Sequence, residues 1–415
     1  MDLLDKSISQ LLTLMDLNEV SSQEITKACI ENIEKEKMDD RLYHIFLKDE
    51  GIRKAREIDL KRKDKKDLGS LAGIPIAVSD DISTKGILTS AGSKILENYI
   101  PPFNATVIEK LIEEDAIILG KSRVNEFGLE KSNSLSEILD SKGAICGLST
   151  SMDGSKVSMK ASFGLISRYG VIGSTSTFDQ VVAVTNNVED LVLVLNCLAG
   201  YDKKDSTSID KEKIDYREAL KTNINGLRIA LPIEVISEDV EKMVKRLRDL
   251  GIDVEEVSLS TLEYLLPVYK ILSSAEFASN SARYDGISLG YRTNEFSDID
   301  ELYKKTRSEG FGLEAKKRIL FGNYVMGSEQ YDNSYKKAQQ IRAMIKKEFT
   351  ITIEKYGMIL LPYGKDEAID LAANVTGLPS ITLANGIQIV GSYLGEGELI
   401  KLAYALESKE VAING

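Results

Sequence analysis

The chain has 415 residues, 43% of them hydrophobic and 28% charged, a balance that allows a large buried core and excludes intrinsic disorder. A formal net charge of −12 argues against a nucleic-acid-binding surface of its own, because phosphate contacts need clustered lysine and arginine. Cys29, Cys146 and Cys197 are far apart and odd in number, so neither a disulfide framework nor a metal cage is expected, and buried thiols in a reducing cytosol fit best.

The opening "MDLLDKSISQLLTLMDLNEV" carries acids and no basic flank, and no apolar run reaches the length of a membrane span, so a cytoplasmic protein without a membrane segment is expected. In "SSQEITKACIENIEKEK", Ser21 and Glu24 have capping-box spacing, and Ile25, Cys29, Ile30 and Ile33 fall on one face, which predicts an amphipathic helix in a helical N-terminal layer over residues 1–70. The one histidine, His44 in "RLYHIFL", sits at the end of a helix or in a strand, where a structural role outweighs a catalytic one. The charge run "DLKRKDKKD" reads as a solvated loop.

"LAGIPIAVSDDIST" is a buried strand that empties onto short polar residues, Ser79, Asp80, Asp81, Ser83 and Thr84. Strand ends of this kind often carry chemistry in α/β enzymes, yet no obvious base stands in the stretch. Asn104 is placed to cap a helix that leads to a short strand from Ala116 to Leu119, which makes a strand–helix–strand crossover. "GLRIALP", "EDVEKMVKRLRDL", the stop at Gly251 and "IDVEEVSL" make a second one. Between them, Lys131 to Thr177 is rich in Ser and Gly and reads more simply as connecting loops than as a ligand cradle. Residues 302–349 are charged and helical, and strands and a last helix close the chain. The expected architecture is one α/β domain, with a central mixed β-sheet flanked by helices.

Several stretches together resemble the amidase-signature family: "LAGIPIAVSDDISTKGILTSAGSKILENYIPPFNATVIEKL", "ILGKSRVNEFGLE", "SRYGVIGSTSTFDQ" and "NNVEDLVLVLNCLAGYDKKDSTS". "SNSARYDGISLGYR" and "TRSEGFGLEAKKRILFGNYVMGSEQYDNSYKKAQQIR" resemble the branch of that family formed by the A-type subunits of tRNA-dependent amidotransferases. The resemblance implies a single domain: a core over 71–260 with a shortened signature region, a helical substrate and partner segment over 261–350, and C-terminal strands and a helix over 351–415. It also implies chemistry without a cofactor or metal, in which a buried lysine acts through a cis-bound serine on a nucleophilic serine that attacks the amide of glutamine. The family's partners are B- and C-type subunits.

The carry-over is uneven. The family's catalytic lysine position is occupied by Ser79, and Lys85 matches a different family lysine. The Gly-rich run that holds the cis serine has no counterpart after "NEFGLEKSNS". The best match for the nucleophile motif is "MDGSK", which puts Ser155 in the nucleophile position, with Asp80, Asp81, Asp153 and Lys156 as the nearest candidates for a replacement base. The substrate side matches better: Tyr269 in "PVYKIL", Arg318 in "AKKRIL" and Glu367 in "GKDEAIDLAAN" fall where the family holds free glutamine. The resulting expectation is a catalytically degenerate A-type subunit that keeps the fold, the partner surface and an amino-acid pocket. The alternative is an active glutamine-hydrolysing subunit or an amidase that uses Ser155.

Overall fold

The structure is a computed structural model that describes residues 3–221 and 223–414, with side-chain burial described through residue 408. Its frame is an eleven-stranded sheet made of β1 (Tyr43–Phe46), β2 (Pro75–Ser79), β3 (Ile117–Ser122), β4 (Cys146–Ser149), β5 (Val157–Lys160), β6 (Val182–Thr185), β7 (Arg228–Pro232), β8 (Asp253–Val257), β9 (Met358–Pro362), β10 (Ser380–Leu383) and β11 (Ile387–Val390). The strand order is β1-β3-β2-β4-β6-β5-β10-β11-β9-β7-β8. β2 runs parallel to β3 and β4, and β7 runs parallel to β8 and β9. The strands between these two groups pair antiparallel.

Both crossovers read from the sequence are present. The helix Thr106–Glu113 joins β2 to β3, and the helix Glu238–Asp249 joins β7 to β8. Every residue of β2 is buried, as a strand covered on both faces by helices requires. Ser21 caps the helix Ser22–Lys35 in a capping box with Glu24, and Ile25, Cys29, Ile30 and Ile33 are buried along one face. Gly251 ends the second crossover helix with a φ of +80°, a conformation that favours glycine.

Three local expectations are corrected. Ala105, not Asn104, is the N-cap of Thr106–Glu113; the Asn104 side chain instead accepts the backbone N–H of Lys85 at 2.7 Å, a closure of a loop 19 residues long that sequence spacing does not reveal. The charge run is partly the last turns of the helix Lys48–Lys63, whose other face packs on the sheet. The Ser/Gly-rich stretch holds the helix Ser134–Asp140 and the strands β4 and β5, because its small side chains fit positions buried against neighbouring strands.

The charged helical region comprises Ile299–Gly310, Leu313–Met326 and Tyr335–Tyr356. Leu313–Met326 packs closely on Leu265–Ser281: a Cβ built on Gly322 would stand 2.0 Å from the carbonyl oxygen of Ser274, so only glycine permits the approach. That contact sets the spacing of the two helices that line the candidate-site cavity described below. All three cysteines are free and buried. No described helix is long and apolar enough to cross a membrane.

Candidate functional site

Segments far apart in sequence close a cavity of about 950 Å³, lined by Asp81, by Thr150 and Ser151 after β4, by Ser174, Phe178 and Asp179, and by the helical residues Tyr269, Ser274 and Arg318. Glu367 and Asp370 complete its rim from the short helix Glu367–Asp370 that follows β9. Tyr269, Arg318 and Glu367 therefore meet in one cavity although nearly a hundred positions separate the first from the last. A second cavity, of about 1050 Å³ beside the helix Tyr335–Tyr356, contains none of them.

Arg318 is held from two sides: its Nη1 donates to Ser273 Oγ at 3.0 Å and its Nε to Glu314 Oε1 at 3.3 Å. Its side chain is only 12% exposed, so the guanidinium fork is fixed before any ligand arrives. The Tyr269 ring packs against Phe178 with centroids 5.1 Å apart, and burial pushes its phenol up to about 12. Glu367 is 3.7 Å from the Lys270 amine. Asp370 accepts the backbone N–H of Gly364 at 2.7 Å and pairs with Lys131.

The two predicted catalytic positions lie elsewhere. Ser155 is exposed and outside the cavity lining; its hydroxyl and its backbone N–H both point to Asp153 Oδ1, at 2.7 and 2.8 Å, which makes a local turn. The neighbouring Lys156 amine is engaged by Asp140 at 2.6 Å and Asn186 at 2.9 Å. Ser79 is 1% exposed at the end of β2, opposite Ser122 of β3, and is not a cavity residue.

Asp80 accepts Ser90 Oγ at 2.6 Å and Ser90 N–H at 3.0 Å, and contacts His44 Nδ1 at 2.9 Å. The Ser90 hydroxyl lies 3.4 Å from that same ring nitrogen. A proton relay uses the two imidazole nitrogens for different partners, so this group clamps the loop after β2 to β1 and does not form a relay.

Sequence reasoning missed Lys121. It sits on β3 beside Val78, with no exposed surface, and its amine donates to the carbonyl of Ile82, to Thr84 Oγ1 at 3.1 Å and to Thr89 Oγ1 at 3.5 Å. Desolvation lowers it to about 8, against the raising influence of Asp80 and Asp81. The signal was a lysine closing the apolar run "IILGK", which is odd for an exposed strand end. Lys160 and Asp179 form a second buried pair of opposite sign, each moved by burial to about 7. Asp179 also accepts the Thr175 N–H at 2.7 Å, which holds the segment that carries Phe178.

The sequence model of the Amidase family matches residues 24–138 and 155–398, which leaves out the stretch that carries Thr150 and Ser151. The chain is 38% identical to the A-type subunit of glutamyl-tRNA(Gln) amidotransferase from Thermoanaerobacter pseudethanolicus, with 98% of this chain and 97% of that protein covered. It is 37% identical to the protein of the same name from Fusobacterium nucleatum, covering 96% and 95%. The first of these alignments is 474 positions long against a chain of 415 residues, so the relative carries segments that this chain lacks. Among solved structures, the A-type subunit of glutamyl-tRNA(Gln) amidotransferase from Thermotoga maritima superposes with a TM-score of 0.74 at 22% identity, covering 98% of this chain and 95% of that one. A peptide amidase from Stenotrophomonas maltophilia superposes with a TM-score of 0.78 at 21% identity, covering 97% and 96%.

Proposed function

The chain belongs to the amidase family, and from that premise we propose that it is an A-type subunit of a tRNA-dependent amidotransferase that binds a free amino acid without hydrolysing glutamine, and that it works as a binding or regulatory subunit. One observation carries the reading. The cavity gathers Tyr269, Arg318 and Glu367, while Ser155, the residue in the nucleophile position, turns its hydroxyl to Asp153 on an exposed loop outside it. A serine hydroxyl needs an adjacent base to attack an amide near neutral pH, and Lys156 is committed to other partners.

In this reading the Arg318 fork takes the ligand carboxylate and Glu367 takes its ammonium. Tyr269 supplies one wall. Partners are B- and C-type subunits. The helix Leu313–Met326 supports a protein partner, because Leu313, Leu320 and Tyr324 are 70, 72 and 59% exposed along it. Co-purification from the host tests the assignment: recovery with B- and C-type subunits bound is expected, and recovery only as a free monomer contradicts it.

A second reading has an observation of its own. Relatives at 35–38% identity over almost the full chain carry the name of a glutamyl-tRNA(Gln) amidotransferase, which favours glutamine hydrolysis through Ser155. That reading requires the loop 150–156 to rearrange so that Ser155 enters the cavity.

A further inference from the structure

The inner wall of the cavity carries two acids that no described cation meets at hydrogen-bond distance. Asp81 is 3% exposed; its Oδ2 accepts Thr150 Oγ1 at 2.5 Å, and its Oδ1 makes no hydrogen bond, although the equally unpartnered Ser79 hydroxyl is near enough to favour the charged carboxylate. Ser274, 1% exposed and lining the same cavity from the helix Leu265–Ser281, also has an unpartnered hydroxyl. Asp179 accepts the Thr175 N–H at 2.7 Å and the Ser174 hydroxyl at 3.3 Å; burial pushes it up to about 7 against the opposing charge of Lys160, whose amine donates to the Phe178 carbonyl at 3.4 Å. Buried polar groups normally find partners, so the open oxygen of Asp81 and the free hydroxyl of Ser274, with Asp179 beside them on one cavity wall, call for a donor from outside the chain.

The cations at the rim have carboxylate neighbours other than Asp81 and Asp179. Lys131 pairs with Asp370, Lys317 and Arg318 with Glu314, Lys270 with Glu367, and Lys365 with Asp239. The Lys121 amine donates to Ile82, Thr84 and Thr89 and to neither acid, although its charge favours the ionised form of Asp81 from a distance. Nor do the described residues bring together three or more side chains that could hold a metal ion.

We propose that Asp81, Asp179 and Ser274 form a subsite for an organic cation, and that the amino acid the cavity takes has a side-chain ammonium group of the ornithine or lysine type. This rests on the reading that the cavity holds a free α-amino acid. Three N–H donors of an ammonium match the acceptor-rich wall. A side-chain amide offers two N–H donors but no charge to offset the acids, and a side-chain carboxylate would be repelled. Thr150 holds one oxygen of Asp81 and so fixes the carboxylate for the ligand.

Calorimetric titration of the full-length protein with L-lysine, L-ornithine, L-glutamine, L-norleucine and n-butylammonium tests this. Lysine or ornithine is expected to bind about tenfold or more tighter than glutamine and norleucine. Asp81→Asn should remove that preference by weakening lysine and ornithine about tenfold, with glutamine and norleucine measured on the same variant for comparison, and Ser274→Ala should weaken lysine by a few-fold. Thermal melts establish that each variant is folded, and Ser274→Ala serves if Asp81→Asn is not. Equal affinity for lysine, glutamine and norleucine overturns the subsite and leaves the amino-acid reading standing. Binding of n-butylammonium that depends on Asp81, with no binding of any amino acid, supports the subsite and overturns the amino-acid reading. Failure of every cationic probe to bind overturns the subsite.

Discussion

The hydroxyl of Thr150 donates to Asp81 at 2.5 Å, which ties the loop after β4 to the end of β2 on the inner wall of the cavity. Neither residue belongs to the pair of positions that the family pattern marks for catalysis in this chain, Ser79 and Ser155, and both line the space those two do not reach. On the proposed reading, this hydroxyl–carboxylate contact belongs to a cavity that holds a ligand without a base or a nucleophile.

Arg318→Gln should weaken binding of any α-amino acid by roughly ten- to a hundredfold, the effect of losing a charge-assisted fork on a carboxylate. Arg318→Lys should recover only part of it, because an ammonium cannot reproduce two parallel bonds. Calorimetric titration of both variants, with thermal melts to follow the loss of the Ser273 and Glu314 contacts, gives the comparison.

Lys121 gives stability a pH dependence of known sign. Its amine is lowered from 10.5 to about 8 in the folded chain, so below pH 8 both states carry the proton and the folded state bears the full cost of a buried charge. Between those two values the unfolded chain holds more protons than the folded one, and stability rises with pH. Relative to Lys121→Met, the wild type should gain up to about 3 kcal/mol across that window. Denaturant unfolding at pH 7.5 and pH 10.5 measures it, and a difference that stays constant contradicts the assignment.

Gly322→Ala should destabilise the protein by roughly 1–3 kcal/mol, because the new methyl meets the Ser274 carbonyl and forces the two helices apart. Since Ser274 and Arg318 sit on those helices, ligand affinity should fall with stability. Unfolding curves and titrations on the same sample check both effects.

Local pattern carried the parts of the fold whose causes are local. The Ser21–Glu24 box, the buried run of β2 and the Gly251 stop each depend on residues within a few positions, and each stands where periodicity puts it. Asn104 failed as a cap because its partner, Lys85 N–H, comes from a loop that only the folded chain brings near. Lys121 went unread for the same reason: its acceptors at 82, 84 and 89 lie more than thirty residues away. Tyr269, Arg318 and Glu367 were found through resemblance, since on spacing alone a charged helix offers no reason to single out Arg318. Asp81 was visible as one of two adjacent acids, but its unpartnered oxygen is a property of the tertiary structure.

The central claim is that the ligand site persists without glutaminase chemistry, and ammonia release from L-glutamine tests it most directly. The wild-type chain, alone and combined with B- and C-type subunits, should release ammonia at the background rate of the Ser155→Ala variant. Glutamine turnover by the wild type that disappears in Ser155→Ala would contradict the account and show that Ser155 enters the cavity in the working protein.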